Sequence, residues 1–339
     1  MSRSTGMRLP RLAPLLLFFA CATASAPRIR FVTDEADAVL HILDKRARGE
    51  TIAEADWSRL FATEGYTRLK ERELAMGRKF EETTFRDFVT SDALLQRLPE
   101  LHRTLNEWSR IDPARAARNA AAYLPPGSTI AATTYPVIKP ATNSFVHDLG
   151  RHPALFVYLE PLPRETFEAI VTHEFHHIGY ASACPPPGTP EGEGSRAQLR
   201  QWLSGFGEGV ATVAAAGGPN SRPRLRPDAL AEWDRQTQRL DANFAAAEQF
   251  LTRVLRGELD EDAERREGMA LFGLVGPWYT VGWHMAAVIE GELGRPAVIN
   301  ALCDQRTLLR TYNTAAARRS GRTGESLPMW PEELARAFE

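Results

Sequence analysis

Residues 163–179 make two demands on a single helix. Phe167, Ile170, Val171, Phe175 and Ile178 recur at the spacing of a buried helical face, while His173, Glu174, His176 and His177 crowd polar side chains into the same turns. Pro163 stands where such a helix would start and Gly179 where it would end. His173 and His177 are one turn apart, and at ~100° per residue they project within about 40° of each other. Two imidazoles so placed can grip one zinc ion. Glu174, rotated by one residue from that stripe, can reach a water on such an ion without being a ligand. The competing reading is a core helix whose histidines are satisfied by hydrogen bonds, which needs partners for two His and a Glu at one apolar face.

A catalytic zinc takes three protein ligands and keeps a fourth position for water. The segment Gly205-Phe206-Gly207-Glu208-Gly209-Val210-Ala211 offers the third. Glu208 lies between glycines that let its backbone approach another helix, and Val210, Ala211, Val213, Ala214 and Ala215 continue as a buried helix. A carboxylate in such a stretch is costly unless it is paired or metal-bound. His173, His177 and Glu208 are therefore the predicted ligands of one Zn²⁺, with Glu174 as general base. The helix that begins at Gly276-Pro277 supplies Tyr279 as the predicted hydrogen-bond donor to a developing oxyanion, with Gly282 leaving room for a substrate chain. On the same helix His284, five residues on and about 140° away, reads as a structural or surface histidine. His176 is expected to face solvent or the surroundings of the ligands. His147 and His152, in a predicted loop, are weaker candidates for lining a cleft.

The rest of the chain reads as mainly α with a small β-sheet, an α+β arrangement. Residues 34 to about 123 carry helical periodicity, beginning with Asp34 as a cap before Ala38, Val39, Ile42 and Leu43, and Pro125-Pro126-Gly127 closes the region. Thr129–Ile138 and Ala154–Leu159 read as strands, and the first of these, or residues 141–145, could offer a sheet edge to an extended peptide. Helices are expected at about 164–180, 196–216, 228–256, 277–293 and 304–317, with a Pro/Gly-rich loop from Cys184 to Ser195. The organisation read from this is residues 1–24 as a signal peptide, 25–125 as a helical N-terminal region and 126–339 as a catalytic region, the last two forming one compact unit.

The signal peptide is read from Arg3, Arg8 and Arg11, the apolar run Leu12–Ala20 and the small residues that follow, with cleavage after Ala24. That run is too short to span a bilayer, so the mature chain is expected to have no transmembrane segment and to be exported, periplasmic or secreted. A lipid anchor on Cys21 is the alternative. Lys and Arg number 41 against 43 Asp and Glu, which leaves no basic excess for a nucleic-acid partner. Mean hydropathy of -0.32 excludes a multi-span membrane protein. Cys184 and Cys303 could pair in an oxidising compartment, and their spacing is not that of a zinc ribbon.

The motif His173-Glu174-Phe175-His176-His177 with Gly207-Glu208-Gly209-Val210-Ala211 resembles the gluzincin metallopeptidases. With Tyr279–Met285 and Ile289-Glu290 it is more narrowly similar to bacterial families of unknown function classed as zinc-dependent peptidases. The resemblance runs from about Thr129 to Tyr312 and implies a zincin-like fold, one zinc and hydrolysis of a peptide or protein substrate. Two departures stand out. The stretch between His177 and Glu208 is longer than in the most compact gluzincins, and Thr212 stands where many of them carry an aspartate that orients a zinc-bound histidine. The alternatives are a catalytically silent zincin fold serving as a binding or envelope scaffold, and a zinc hydrolase of a non-peptide amide or ester.

Overall fold

A computed structural model describes residues 28–140, 144–184 and 194–339. The signal peptide, Cys21, most of the Pro/Gly loop and residues 141–143 of the expected sheet edge lie outside the described residues. Seven helices fill the first half: α1 (Asp34–Ala47), α2 (Glu54–Phe61), α3 (Glu64–Ala75), α4 (Glu82–Val89), α5 (Asp92–Gln96), α6 (Leu98–Trp108) and α7 (Pro113–Ala121). They pack around a four-stranded sheet made of β1 (Arg28–Phe31), β2 (Ala131–Val137), β3 (Phe145–His147) and β4 (Ala154–Tyr158), in the order β1-β2-β4-β3. The first three strands in that order are parallel, and β3 runs antiparallel to β4 at the edge. The second half comprises α8 (Arg164–Ala183), α9 (Ser195–Leu203), a 3₁₀ turn (Ser204–Phe206), α10 (Gly207–Ala216), α11 (Pro227–Gln238), α12 (Leu240–Leu255), α13 (Glu261–Ala270), α14 (Pro277–Leu293), α15 (Arg295–Cys303), α16 (Gln305–Thr323) and α17 (Glu332–Ala335).

The α+β expectation holds, with differences that have local causes. Strand β2 is flanked on both sides, so it offers no edge; the edges belong to β1 and to β3, which starts at Phe145, and His147 sits in β3 instead of a loop. The expected helix 196–216 breaks at the 3₁₀ turn, and 228–256 divides at Arg239 into α11 and α12. In both places apolar spacing continues across the break, so periodicity alone does not reveal it. Gly179 does not end α8, which runs on to Ala183. A Cβ at Gly179 would fall 2.2 Å from Leu124 Cδ1, so the glycine marks the close passage of the α7 end over α8.

Two apolar cores meet at α8. One gathers α1–α7, the sheet and the Phe167–Val171–Phe175–Ile178 face of α8, with Trp108 stacked on Phe167 at 3.8 Å between ring centroids. The other surrounds Trp278 of α14 and is built by α9, α10, α12 and α14–α17. Tyr180 packs against both, and Cys184 just past α8 is disulfide-bonded to Cys303 at the end of α15, with a Cα separation of 4.9 Å. A helix held from both sides in this way has little freedom to tilt, which fixes what it presents between the cores. No helix among the described residues is long and apolar enough to cross a membrane.

Candidate metal centre

The remaining face of α8 meets α10, and α10 meets α14 backbone to backbone. A Cβ on Gly209 would lie 2.1 Å from the Trp283 nitrogen, and one on Gly282 would lie 2.4 Å from the Phe206 carbonyl oxygen. Neither position admits any larger residue without separating the helices. Gly282 is thus filled by its neighbour's backbone and leaves no room for a substrate chain, contrary to the expectation from sequence. Gly207 is different, since a Cβ there would touch only Leu302 at an ordinary 3.6 Å. The double-glycine contact sets Glu208, next to Gly209, and Tyr279, one turn before Gly282, against the histidines of α8.

Three donor atoms converge there. His173 Nε2 lies 3.0 Å from Glu208 Oε2 and 3.0 Å from His177 Nε2, and His177 Nε2 lies 3.4 Å from Glu208 Oε2. Donors about 2.0–2.2 Å from one tetrahedral zinc are separated from each other by roughly 3.3 Å, so this triangle has the dimensions such an ion needs. The donor chemistry also fits, because two imidazoles and a carboxylate can each direct a lone pair to one point. All three side chains are mostly enclosed, and among the described residues they are the one group of three or more His, Cys, Asp or Glu side chains whose donor atoms lie close enough together to hold an ion. Burial opposes charge on Glu208 and His177. Their mutual attraction overrides it, lowering the Glu208 carboxyl well below its ordinary range and raising His177.

The residues around the trio are held in turn. Thr212, one turn after Glu208, donates its hydroxyl proton to the Glu208 carbonyl at 2.8 Å, and the same oxygen stands 3.5 Å from His173 Nδ1. Its lone pair therefore faces the ring N–H, and a neutral hydroxyl stands where the resemblance leads one to look for an aspartate. His176 is 1% exposed, which overturns the solvent-facing expectation. Its Nε2 donates to the Tyr123 carbonyl at 3.2 Å, and burial, followed by the neighbouring His177 and His173, lowers its pKa to about 3. His284 is a packing residue, set edge-on to Phe244 and Tyr312, as its structural reading anticipated. Neither His147 nor His152 lines the cavities beside the trio.

Tyr279 stacks on His173 with ring centroids 6.2 Å apart and planes 16° from parallel. Burial, and then the carboxylates of Glu208 and Glu174, keep its phenol protonated. Two cavities flank the centre. One of about 240 Å³ is lined by His173, Glu174, Thr212, Tyr279, Ser144, Glu160 and Arg224 among others. The other, of about 350 Å³, is walled mainly by apolar groups, including Val146, Leu149, Tyr180 and Ala181, beside Glu174, His177 and Glu208. Glu174 lines both, and its carboxylate makes no hydrogen bond or ion pair with any described residue.

The profile of a family described as "Putative zinc dependent peptidase (DUF5700)" matches residues 57–320, most of the chain. The chain belongs to this family. The DUF5700 match takes in α8, α10 and α14 whole, and so every residue of the centre. It also includes most of the N-terminal helices, which the motif-based resemblance does not reach. No curated protein and no solved structure matches the chain. Sequence reasoning missed Glu160, Arg224 and Arg226 as cleft residues. An arginine in the Pro/Arg-rich turn before α11 carries no periodic signal, and only the tertiary fold puts it beside the centre.

Proposed function

We propose that the chain is an exported zinc peptidase with a zincin-like catalytic fold. The observation that carries this reading is the convergence of His173, His177 and Glu208 on one point, with the unpaired carboxylate of Glu174 beside it, open to the cavities on both sides. A zinc ion held by these three residues would supply a Lewis acid that polarises a carbonyl and acidifies water. Glu174 takes the proton of the attacking water and delivers it to the nitrogen of the leaving amine. Tyr279, kept protonated, donates a hydrogen bond to the oxygen on which negative charge develops. Thr212 holds the His173 ring in the tautomer that leaves Nε2 free.

An intact general base favours catalysis over a silent scaffold, since a scaffold needs no unpaired carboxylate beside its metal. Export is supported by the N-terminal pattern of positive, apolar and small residues and by the Cys184–Cys303 disulfide, a bond that persists in oxidising compartments. The test is Glu174→Gln. The variant is expected to keep one zinc per chain and to lose peptide hydrolysis by about 10³-fold or more. Hydrolysis at the unmodified rate with zinc retained would contradict the mechanism.

A further inference from the structure

The two cavities beside the centre differ in character, and the edge strand gives them an order. Ser144 lines the first and Val146 the second, two positions apart and so on one face, while Phe145 between them turns away to pack on Phe156. Among the described residues nothing pairs with the outer edge of β3. An extended peptide adding antiparallel to that edge would pass Val146 first and Ser144 second. Residues before the scissile bond then lie in the apolar cavity with Val146 and Leu149, and residues after it lie in the cavity that holds Arg224.

Charge in that second position is unbalanced at one residue. The turn before α11 carries Arg222, Arg224 and Arg226 at alternate positions. Arg222 pairs with Asp234 at 2.6 Å, and Arg226 is held by Glu160 and Asp228, each at 3.0 Å. Arg224 makes no ion pair or hydrogen bond with any described residue; it is solvent-exposed and is one of the residues that line the cavity. Of the cavity's two carboxylates, Glu160 is taken by Arg226, and Glu174 is the proposed base. A guanidinium left without a partner at the wall of a substrate cleft is complementary to a carboxylate, which it can bind through two parallel hydrogen bonds.

We infer that Arg224 selects peptides that carry a carboxylate on the C-terminal side of the scissile bond, either the chain terminus or an acidic side chain. This rests on the peptidase reading for the location of the scissile bond. The test uses four pools of fluorescein-labelled, N-terminally blocked hexapeptides with randomised apolar residues. They end in a free acid or an amide, and each carries Asp or Asn at the fifth position. Binding is measured by anisotropy to the zinc-loaded Glu174→Gln protein, with and without Arg224→Ala, and cleavage of the same pools is followed with the unmodified protein.

Carboxylate-bearing pools are expected to bind about 10-fold more tightly than the amide/Asn pool. Arg224→Ala should abolish the difference, Arg224→Lys should restore part of it, and affinity for the amide/Asn pool should stay unchanged. A difference confined to acid against amide identifies the chain terminus, and one confined to Asp against Asn identifies a side chain. Binding of all pools within twofold, or an equal loss for all pools in Arg224→Ala, would overturn the inference. Cleavage without carboxylate preference would leave the peptidase reading standing alone. Carboxylate-dependent binding that Arg224→Ala abolishes, without cleavage of any pool, would support Arg224 as the carboxylate-binding residue and overturn the peptidase reading.

Discussion

Glu35 and Glu208 are both carboxylates enclosed by helices, and they reach opposite states. Glu35, in the core of α1 and the sheet, is 1% exposed; its Oε2 accepts from the Ile138 N–H at 3.0 Å and its Oε1 has no partner among the described residues. Burial, against the opposing Ile138 hydrogen bond, pushes its pKa up to about 8. Glu208 is buried less completely and faces two imidazoles, which hold it ionised. The difference means that a buried acid points to a candidate metal site when donor atoms of other residues converge on it, and not by its burial alone. One buried carboxylate is pushed toward its neutral form by its apolar surroundings, and the other is the third corner of the candidate metal site.

The strongest way to break this contrast is to remove each carboxylate in turn. Glu208→Gln should lower peptide hydrolysis by about 10³-fold or more, with the circular-dichroism spectrum retained. Glu35→Gln should leave hydrolysis within about twofold, since a neutral amide of the same shape replaces a neutral acid. Comparable losses in the two variants would erase the distinction.

The backbone contact that brings Glu208 to α8 gives the next largest effect. Gly282→Ala drives a Cβ into the Phe206 carbonyl and should cost about 1–3 kcal/mol or more of stability, with weakened zinc binding. Gly207→Ala meets only an ordinary contact in a helix and should be neutral or stabilising by up to about 1 kcal/mol. Thermal melts of the two variants check this pair. Thr212→Val, which removes the hydroxyl facing His173 Nδ1, should weaken zinc binding about 10-fold in a competition with a chelator, without unfolding.

The smallest effect is on pH dependence. Glu35 binds its proton more tightly folded than unfolded, so between about pH 4.5 and 8 the native state holds more protons than the unfolded chain. Its contribution is therefore full below that window and is lost as pH rises through it. The groups facing it are Asp34, which reinforces the shift, and Lys139, which opposes it and is itself lowered to about 8 by burial. The melting temperature should fall from pH 5 to pH 8 more steeply in the unmodified chain than in Glu35→Gln, and parallel curves would contradict the assignment.

The parts of the molecule legible in the sequence are those that local periodicity encodes. The helix bearing His173 and His177 declares itself by its 3.6-residue apolar face, and α14 falls at 277–293 as its pattern predicts. Glu208 is legible because an acid in an apolar glycine-flanked run requires an explanation. The short strands β1 and β3 are not, since four and three residues carry too little alternation to stand out. Gly282 was misread because a glycine opens space equally for a ligand or for a neighbouring backbone, and only the packing decides which. His176 shares its helix with His173 and His177, yet a 100° rotation per residue sends it into the core instead of the cleft.

Zinc content of the purified protein tests the central claim most directly, measured by elemental analysis after dialysis against trace-metal-free buffer. One equivalent per chain is predicted for the unmodified protein and for Glu35→Gln, with less than a tenth of that in His173→Ala and Glu208→Gln. Full zinc occupancy in the folded ligand variants, or no zinc uptake by the unmodified chain when zinc is supplied, would contradict it.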